Sequence, residues 1–130
     1  MDKKKAVELL NKAIESRDGA YAPYSNFYVG AALLCSDGSV FLGANTENAA
    51  YSPTICAERS AFAAAITAGK RSFSAIAIAA GGENVPTPCG VCRQVMAEFC
   101  SAEFSIFCVN DSAVFEYTLG ELLPGAFKLN

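Results

Sequence analysis

Phe104-Ser105-Ile106-Phe107-Cys108-Val109, then Asn110-Asp111-Ser112-Ala113, then Val114-Phe115-Glu116-Tyr117-Thr118 is the stretch whose reading decides the fold. The outer runs read as strands over 104–109 and 114–118. Only 110–113 join them, far short of the dozen or so residues a parallel return requires, so the two strands must pair as a hairpin. Upstream, 73–80 is a short run containing Ile76 and Ile78, bounded by Gly81-Gly82, and reads as a central strand. A helical segment over 91–100 lies between that strand and 104–109, which permits a right-handed parallel crossover. The sheet should therefore be mixed.

Working outward, 2–17 places Ala6, Val7, Leu10, Ala13 and Ile14 on one face and Lys5, Glu8, Lys12 and Glu15 on the other, an amphipathic helix that should cover the sheet. Asp18-Gly19 ends it, and the aromatic, Pro-containing 21–27 reads as a shaped loop of the kind that lines a pocket. Strands over 28–34 and 40–42 flank Ser36-Asp37-Gly38-Ser39, where Asp-Gly should supply the positive backbone angles of a tight turn. The Ala-rich 55–67 reads as a nearly all-apolar and therefore buried helix, stopped by Gly69. A short segment over 119–123 precedes the Pro124-Gly125 tail. The expected architecture is α/β, a three-layer α/β/α arrangement with a mixed five-stranded sheet, in one domain over 1–130.

Composition narrows the function. With 130 residues, 52% apolar and 18% charged, the chain can bury a sizeable core, and disorder is excluded. A formal charge of -3 sets the net field against nucleic acid and favours a small neutral substrate. Histidine is absent, which removes Ser-His-Asp triads, Cys-His dyads and every imidazole metal ligand. Acid-base work falls to carboxylates, thiols, Lys or Tyr. No apolar run reaches the roughly 20 residues of a membrane span, and Met1-Asp2-Lys3-Lys4-Lys5 leads into an amphipathic segment without a signal-peptide core. A soluble, cytoplasmic protein is expected, in a compartment that keeps the six cysteines as thiols or metal ligands.

Two segments at expected helix starts carry the chemistry: Cys56-Ala57-Glu58-Arg59 and Pro88-Cys89-Gly90-Val91-Cys92-Arg93-Gln94. A helix N-terminus lowers a thiol pKa and favours the thiolate that zinc needs. Three such thiolates leave a fourth tetrahedral place open, as catalytic zinc sites do. Cys89-x-x-Cys92 alone also suits a structural zinc clip or a redox pair. A closed structural site wants a fourth ligand, and Cys100, eight residues past Cys92 on one helix, lies roughly 12 Å away along the axis. Cys35 and Cys108 occupy strand positions that suit inert thiols. Glu58 discriminates, because a carboxylate on an apolar helix is costly to bury without a proton or a partner. Beside water activated by zinc it could carry protons to a substrate nitrogen. An exposed first-turn glutamate favoured by the helix dipole is the bland alternative.

Cys-x-Glu followed about thirty residues later by Pro-Cys-x-x-Cys is the zinc deaminase signature, with Cys in place of His as first ligand. Together with Tyr24-Ser25-Asn26-Phe27, Asn45-Thr46-Glu47-Asn48-Ala49-Ala50-Tyr51 and Leu122-Leu123-Pro124-Gly125-Ala126-Phe127, it resembles the small homotetrameric cytidine deaminases over almost the whole chain. The resemblance implies hydrolytic deamination of cytidine and deoxycytidine to uridine and deoxyuridine, with release of ammonia, in pyrimidine salvage. It implies Zn2+ held by Cys56, Cys89 and Cys92, with Glu58 moving protons. It also implies that Asn45 and Glu47 bind the ribose hydroxyls, that Phe27 packs on the base and that the Ala57 backbone holds the pyrimidine. In a homotetramer, Phe127 and Tyr51 would serve a neighbouring subunit's pocket, although for each aromatic ordinary packing is the alternative.

Three thiolates, a divalent ion and a hydroxide would together carry a net charge of about -2, which opposes making hydroxide at neutral pH. Arg59 and Arg93 are therefore expected to donate to ligand sulfurs, against the alternative of two surface arginines. Deaminases of nucleic acid or of blasticidin type share the zinc motifs. The ribose-like pair Asn45 and Glu47 and the lack of a basic patch argue against both. A zinc-stabilised interaction domain would leave Glu58 without purpose.

Overall fold

Alternation in one strand divides the molecule into layers. In β3 (Phe73–Ala80), Ala75, Ala77 and Ala79 point to one face of the sheet, while Ile76, Ile78 and Ala80 point to the other. The computed structural model describes residues 1–129, and among these β1 (Val29–Cys35), β2 (Val40–Ala44), β3, β4 (Ser105–Val109) and β5 (Val114–Thr118) form one sheet in the order β2-β1-β3-β4-β5. The β3–β4 pair is parallel, and β1–β2, β1–β3 and β4–β5 are antiparallel. The mixed sheet, the crossover and the closing hairpin all match the sequence reading.

Helix α1 (Lys3–Ser16) packs Leu9, Leu10 and Ala13 on the small-residue face, against Ala32, Ala75, Ala77, Ala79 and Phe107. Gly30 of β1 lets it approach closely, since a Cβ there would lie 2.1 Å from the Ala13 carbonyl oxygen. Helices α2 (Ala57–Thr67) and α3 (Gly90–Phe99) cover the opposite face, where Phe62, Met96 and Ala97 meet Leu33, Ile76, Ile78 and Ile106. The layers are thus α/β/α. A one-turn helix α4 (Leu119–Leu122), held by a capping box between Thr118 and Glu121, closes this core with Leu119.

Three local expectations change. Helix α2 starts at Ala57 rather than at 55, because Ile55 and Thr46 exchange backbone hydrogen bonds of 3.0 and 2.9 Å, which keep Ile55 extended. Its Ala63 and Ala64 are exposed, so an apolar sequence did not require burial on every side. The turn after β1 takes a positive φ at Gly38 alone, +92°, and not at Asp37. Gly38 N–H bonds the Cys35 carbonyl and Cys35 N–H the Ser39 carbonyl, a type I turn closed by one left-handed residue. Asp37 instead uses its carboxylate, accepting from Ser39 N–H and Lys70 Nζ.

Gly43 of β2 seats the helix that carries Cys56 and Glu58. A Cβ at this position would lie 2.3 Å from the Ala57 oxygen and 2.5 Å from the Ala61 nitrogen, backbone atoms that cannot rotate away. Gly43→Val is therefore expected to lower stability by about 1–3 kcal/mol or more. Urea denaturation checks this, and an unchanged midpoint would show that α2 tolerates being lifted from the sheet.

Candidate active site

Two helix N-termini converge at the edge where β1 begins and β3 ends. Cys56 is the N-cap of α2 and Cys89 the N-cap of α3, both in extended backbone, and neither thiol bonds back to cap its own helix. The sulfurs are thus free to turn outward. Cys92, one turn into α3, brings a third, fully buried thiol beneath them. Sγ of Cys56 lies 3.8 Å from Sγ of Cys89, which lies 3.4 Å from Sγ of Cys92, and all three lie within 4.8 Å of one another. Sulfurs each about 2.3 Å from one tetrahedral ion would stand roughly 3.8 Å apart. Spacing and soft donors therefore fit zinc, with one position left open. Cys35, Cys100 and Cys108 stay buried outside the cluster, and burial pushes the thiols of Cys100 and Cys108 up to about 12.

Glu58 lies beside this cluster and is only 5% exposed. Burial in an apolar helix face pushes its carboxyl up to about 7, which places it between its two protonation states near neutral pH. The Cys56 thiol is held low by the Cys92 thiol that donates to it and by Arg59, and the resulting thiolate pushes Cys92 up. Arg59 Nη2 stands 3.5 Å from Cys56 Sγ and 3.5 Å from the Thr54 carbonyl. A guanidinium there offsets negative charge on the sulfurs.

Above the thiols lies a cleft of about 230 Å³, lined by Phe27, Asn45, Glu47, Ala57 and Glu58, with Thr87 and others on the far wall. Its near wall is braced from both ends. Buried Asn45 accepts from Val29 N–H at 2.9 Å and donates to the Phe27 carbonyl at 2.8 Å, which leaves one amide N–H for a ligand. The Glu47 carboxylate gathers Tyr24 N–H at 3.0 Å, Ser25 N–H at 3.1 Å and the Ser25 hydroxyl, and the last of these holds its carboxyl below the usual range. Ser25 Oγ in turn accepts Phe27 N–H at 3.0 Å, and Asn26 turns the chain with φ +56°. The loop over 21–27 is thereby shaped around the cleft, as its composition suggested.

The sequence profile described as the cytidine and deoxycytidylate deaminase zinc-binding region matches residues 3–108. The chain belongs to that deaminase family. A cytidine deaminase from Halalkalibacterium halodurans is 52% identical over 92% of this chain and 91% of its own length. One from Sporosarcina psychrophila is 49% identical over 93% and 90%. The crystal structure of cytidine deaminase from Burkholderia pseudomallei superposes with a TM-score of 0.90 at 44% identity, covering 98% of this chain and all 100% of that one.

Within this deaminase framework the structure brings Cys56, Cys89, Cys92, Glu58, Phe27, Asn45, Glu47 and the Ala57 backbone to one place. Arg93 departs from its expected position on a ligand sulfur. Its Nε donates to the Pro88 carbonyl at 2.6 Å and its Nη1 to the Leu122 carbonyl at 2.7 Å, tying the segment before Cys89 to the C-terminal segment. Tyr51 and Phe127 line no part of the cleft of their own chain and are 90% and 69% exposed. Gln94 Nε2 holds the Phe127 carbonyl at 3.1 Å, so this segment is docked on α3. Thr54, Ile55, Pro86 and Thr87 join the lining without having been singled out. None of them carries an acid, a base or a thiol, and the Thr46–Ile55 bridge and the path of the chain into Cys89 bring them there.

Proposed function

We propose that the chain is a zinc-dependent hydrolase that converts cytidine and deoxycytidine to uridine and deoxyuridine with release of ammonia, as a step of pyrimidine salvage. The observation that carries this reading is the buried carboxylate of Glu58 against three converging thiols at the floor of the cleft. Cys56, Cys89 and Cys92 hold the ion, which supplies when bound a Lewis acid that activates water near neutral pH. Glu58 would take one proton from the attacking water and pass it to N3 as the oxygen adds to C4, then take the remaining proton from that oxygen and pass it to the C4 amine, which leaves as ammonia while the C4 carbonyl forms. Its raised pKa suits both tasks. The Ala57 backbone holds the pyrimidine, Phe27 packs on the base, and Asn45 and Glu47 take the sugar hydroxyls. Arg59 offsets the charge of the thiolates.

The cleft is small beside the roughly 300–1,000 Å³ of drug-sized sites, which suits one free nucleoside rather than a strand. A homotetramer accounts for Phe127 and Tyr51, whose exposed rings would then close a neighbouring copy's pocket. A cytoplasmic site of action, in one catalytic domain over 1–130, agrees with the thiol chemistry, and no helix among the described residues is long and apolar enough to cross a membrane. Purified zinc-loaded protein should consume cytidine and deoxycytidine with stoichiometric ammonia and leave adenosine untouched, as followed by ultraviolet absorbance. Turnover of adenosine, or none of either pyrimidine nucleoside, would refute the substrate assignment.

A further inference from the structure

Three polar or charged side chains are buried among the described residues: Asn45, Glu58 and Asn110. The first two face the cleft and the third does not. Asn110 follows the last residue of β4, beside the end of β3, since Val109 pairs with Ala79. A buried amide must find partners, and this one uses its two ends differently. Oδ1 accepts from Ser112 N–H at 2.9 Å and Ala113 N–H at 2.8 Å, which shapes the turn into β5. Nδ2 leaves the turn and donates to the Glu83 carbonyl at 2.8 Å, with Asn84 O at 3.5 Å. Its neighbour reinforces the grip, with Gly82 N–H on Asp111 Oδ2 at 2.8 Å and Asp111 N–H on the Gly82 carbonyl at 3.2 Å.

The gripped segment runs directly into the far wall of the cleft. Pro86 and Thr87 line it, and Cys89 follows as the N-cap of α3. Prolines at 86 and 88 fix φ on this short path, so the chain between Glu83 and the Cys89 thiol has little freedom to absorb a displacement at its start. We propose that Asn110 is a positioning residue of the deamination site: its Nδ2–Glu83 hydrogen bond sets the seat of the wall at 86–89 and with it the placement of the Cys89 sulfur. This inference rests on the reading of the three thiols as a metal site.

Asn110→Asp separates the two ends of the side chain. An aspartate keeps the acceptor that closes the turn but loses the donor and sets a carboxylate against the Glu83 carbonyl. Asn110→Ser is the neutral companion, with a hydroxyl that still accepts a turn N–H and is too short to reach Glu83. Zinc affinity measured by chelator competition is expected to fall about tenfold or more in both variants, the magnitude usual for groups that hold a ligand in place. KM for cytidine should rise, and amide exchange should quicken over 85–91 while 114–118 exchanges as in the parent. Faster exchange confined to 114–118, with zinc affinity and KM within twofold of the parent, would make Asn110 a turn residue only and overturn the proposal. A parent protein that binds no zinc would instead overturn the metal-site reading, and this inference with it.

Discussion

Glu58→Gln is expected to lower kcat for cytidine by about 10²–10⁴-fold, the range that a positioned general acid-base group supplies. Glutamine has nearly the same shape, so it fills the same buried place on α2, where only 5% of Glu58 is exposed. It cannot take or give the proton. The carboxyl it replaces is pushed up to about 7 by burial, poised to act in both directions near neutral pH, and among the described residues no other carboxylate lines the floor beside the thiols. Glu47, at the rim, is occupied by Tyr24 and Ser25. Zinc content should stay at the parent level, because Glu58 is not one of the three converging ligands. Steady-state kinetics with metal analysis on the same sample checks both parts. A variant that keeps its zinc and turns over within tenfold of the parent would remove Glu58 from the chemistry.

Cys92→Ala is expected to abolish both zinc retention and deamination, because two remaining thiols, Cys56 and Cys89, are a poor set for an ion that favours four ligands. Affinity should fall by at least about two orders of magnitude, beyond the tenfold to hundredfold usual for groups that merely support a ligand. Zinc that binds the folded parent should raise its melting temperature by mass action, and that rise should vanish in the variant. Cys108→Ala is the matching control. Cys108 is equally buried, but its thiol is pushed up to about 12 by desolvation and lies outside the cluster. It should cost stability through a small cavity and leave zinc binding intact. Equal zinc affinity in the parent and Cys92→Ala would contradict the ligand set.

Much of this site was legible because its chemistry is local in sequence. Cys89 and Cys92 lie three residues apart at the start of α3, so helix geometry brings their side chains together, and Cys56 caps the helix that carries Glu58 two residues on. The fold was legible for a similar reason. The four residues 110–113 allow only a hairpin, and a helix between 80 and 105 allows a parallel crossover, which together set three of the five strands. What escaped was decided by partners distant in the chain. Ile55 reads as helical until Thr46 pairs with it. Arg93 looks destined for the adjacent Cys92 until the Pro88 and Leu122 carbonyls offer better acceptors. Asn110 reads as a turn residue, and only the path of 81–84 beside it shows where its amide points. The exposed alanines of α2 show the same limit, since helix periodicity cannot say how wide a face its neighbours cover.

The most direct measurement is the rate of cytidine deamination as zinc is titrated back into metal-stripped protein, followed by ultraviolet absorbance and by ammonia. The rate should rise from near zero in proportion to added zinc and level off at one ion per chain, with one ammonia released for each uridine formed. A rate independent of zinc, or a protein that binds one zinc per chain and converts no cytidine, would contradict the assignment of the thiol cluster and Glu58 as a deaminating centre.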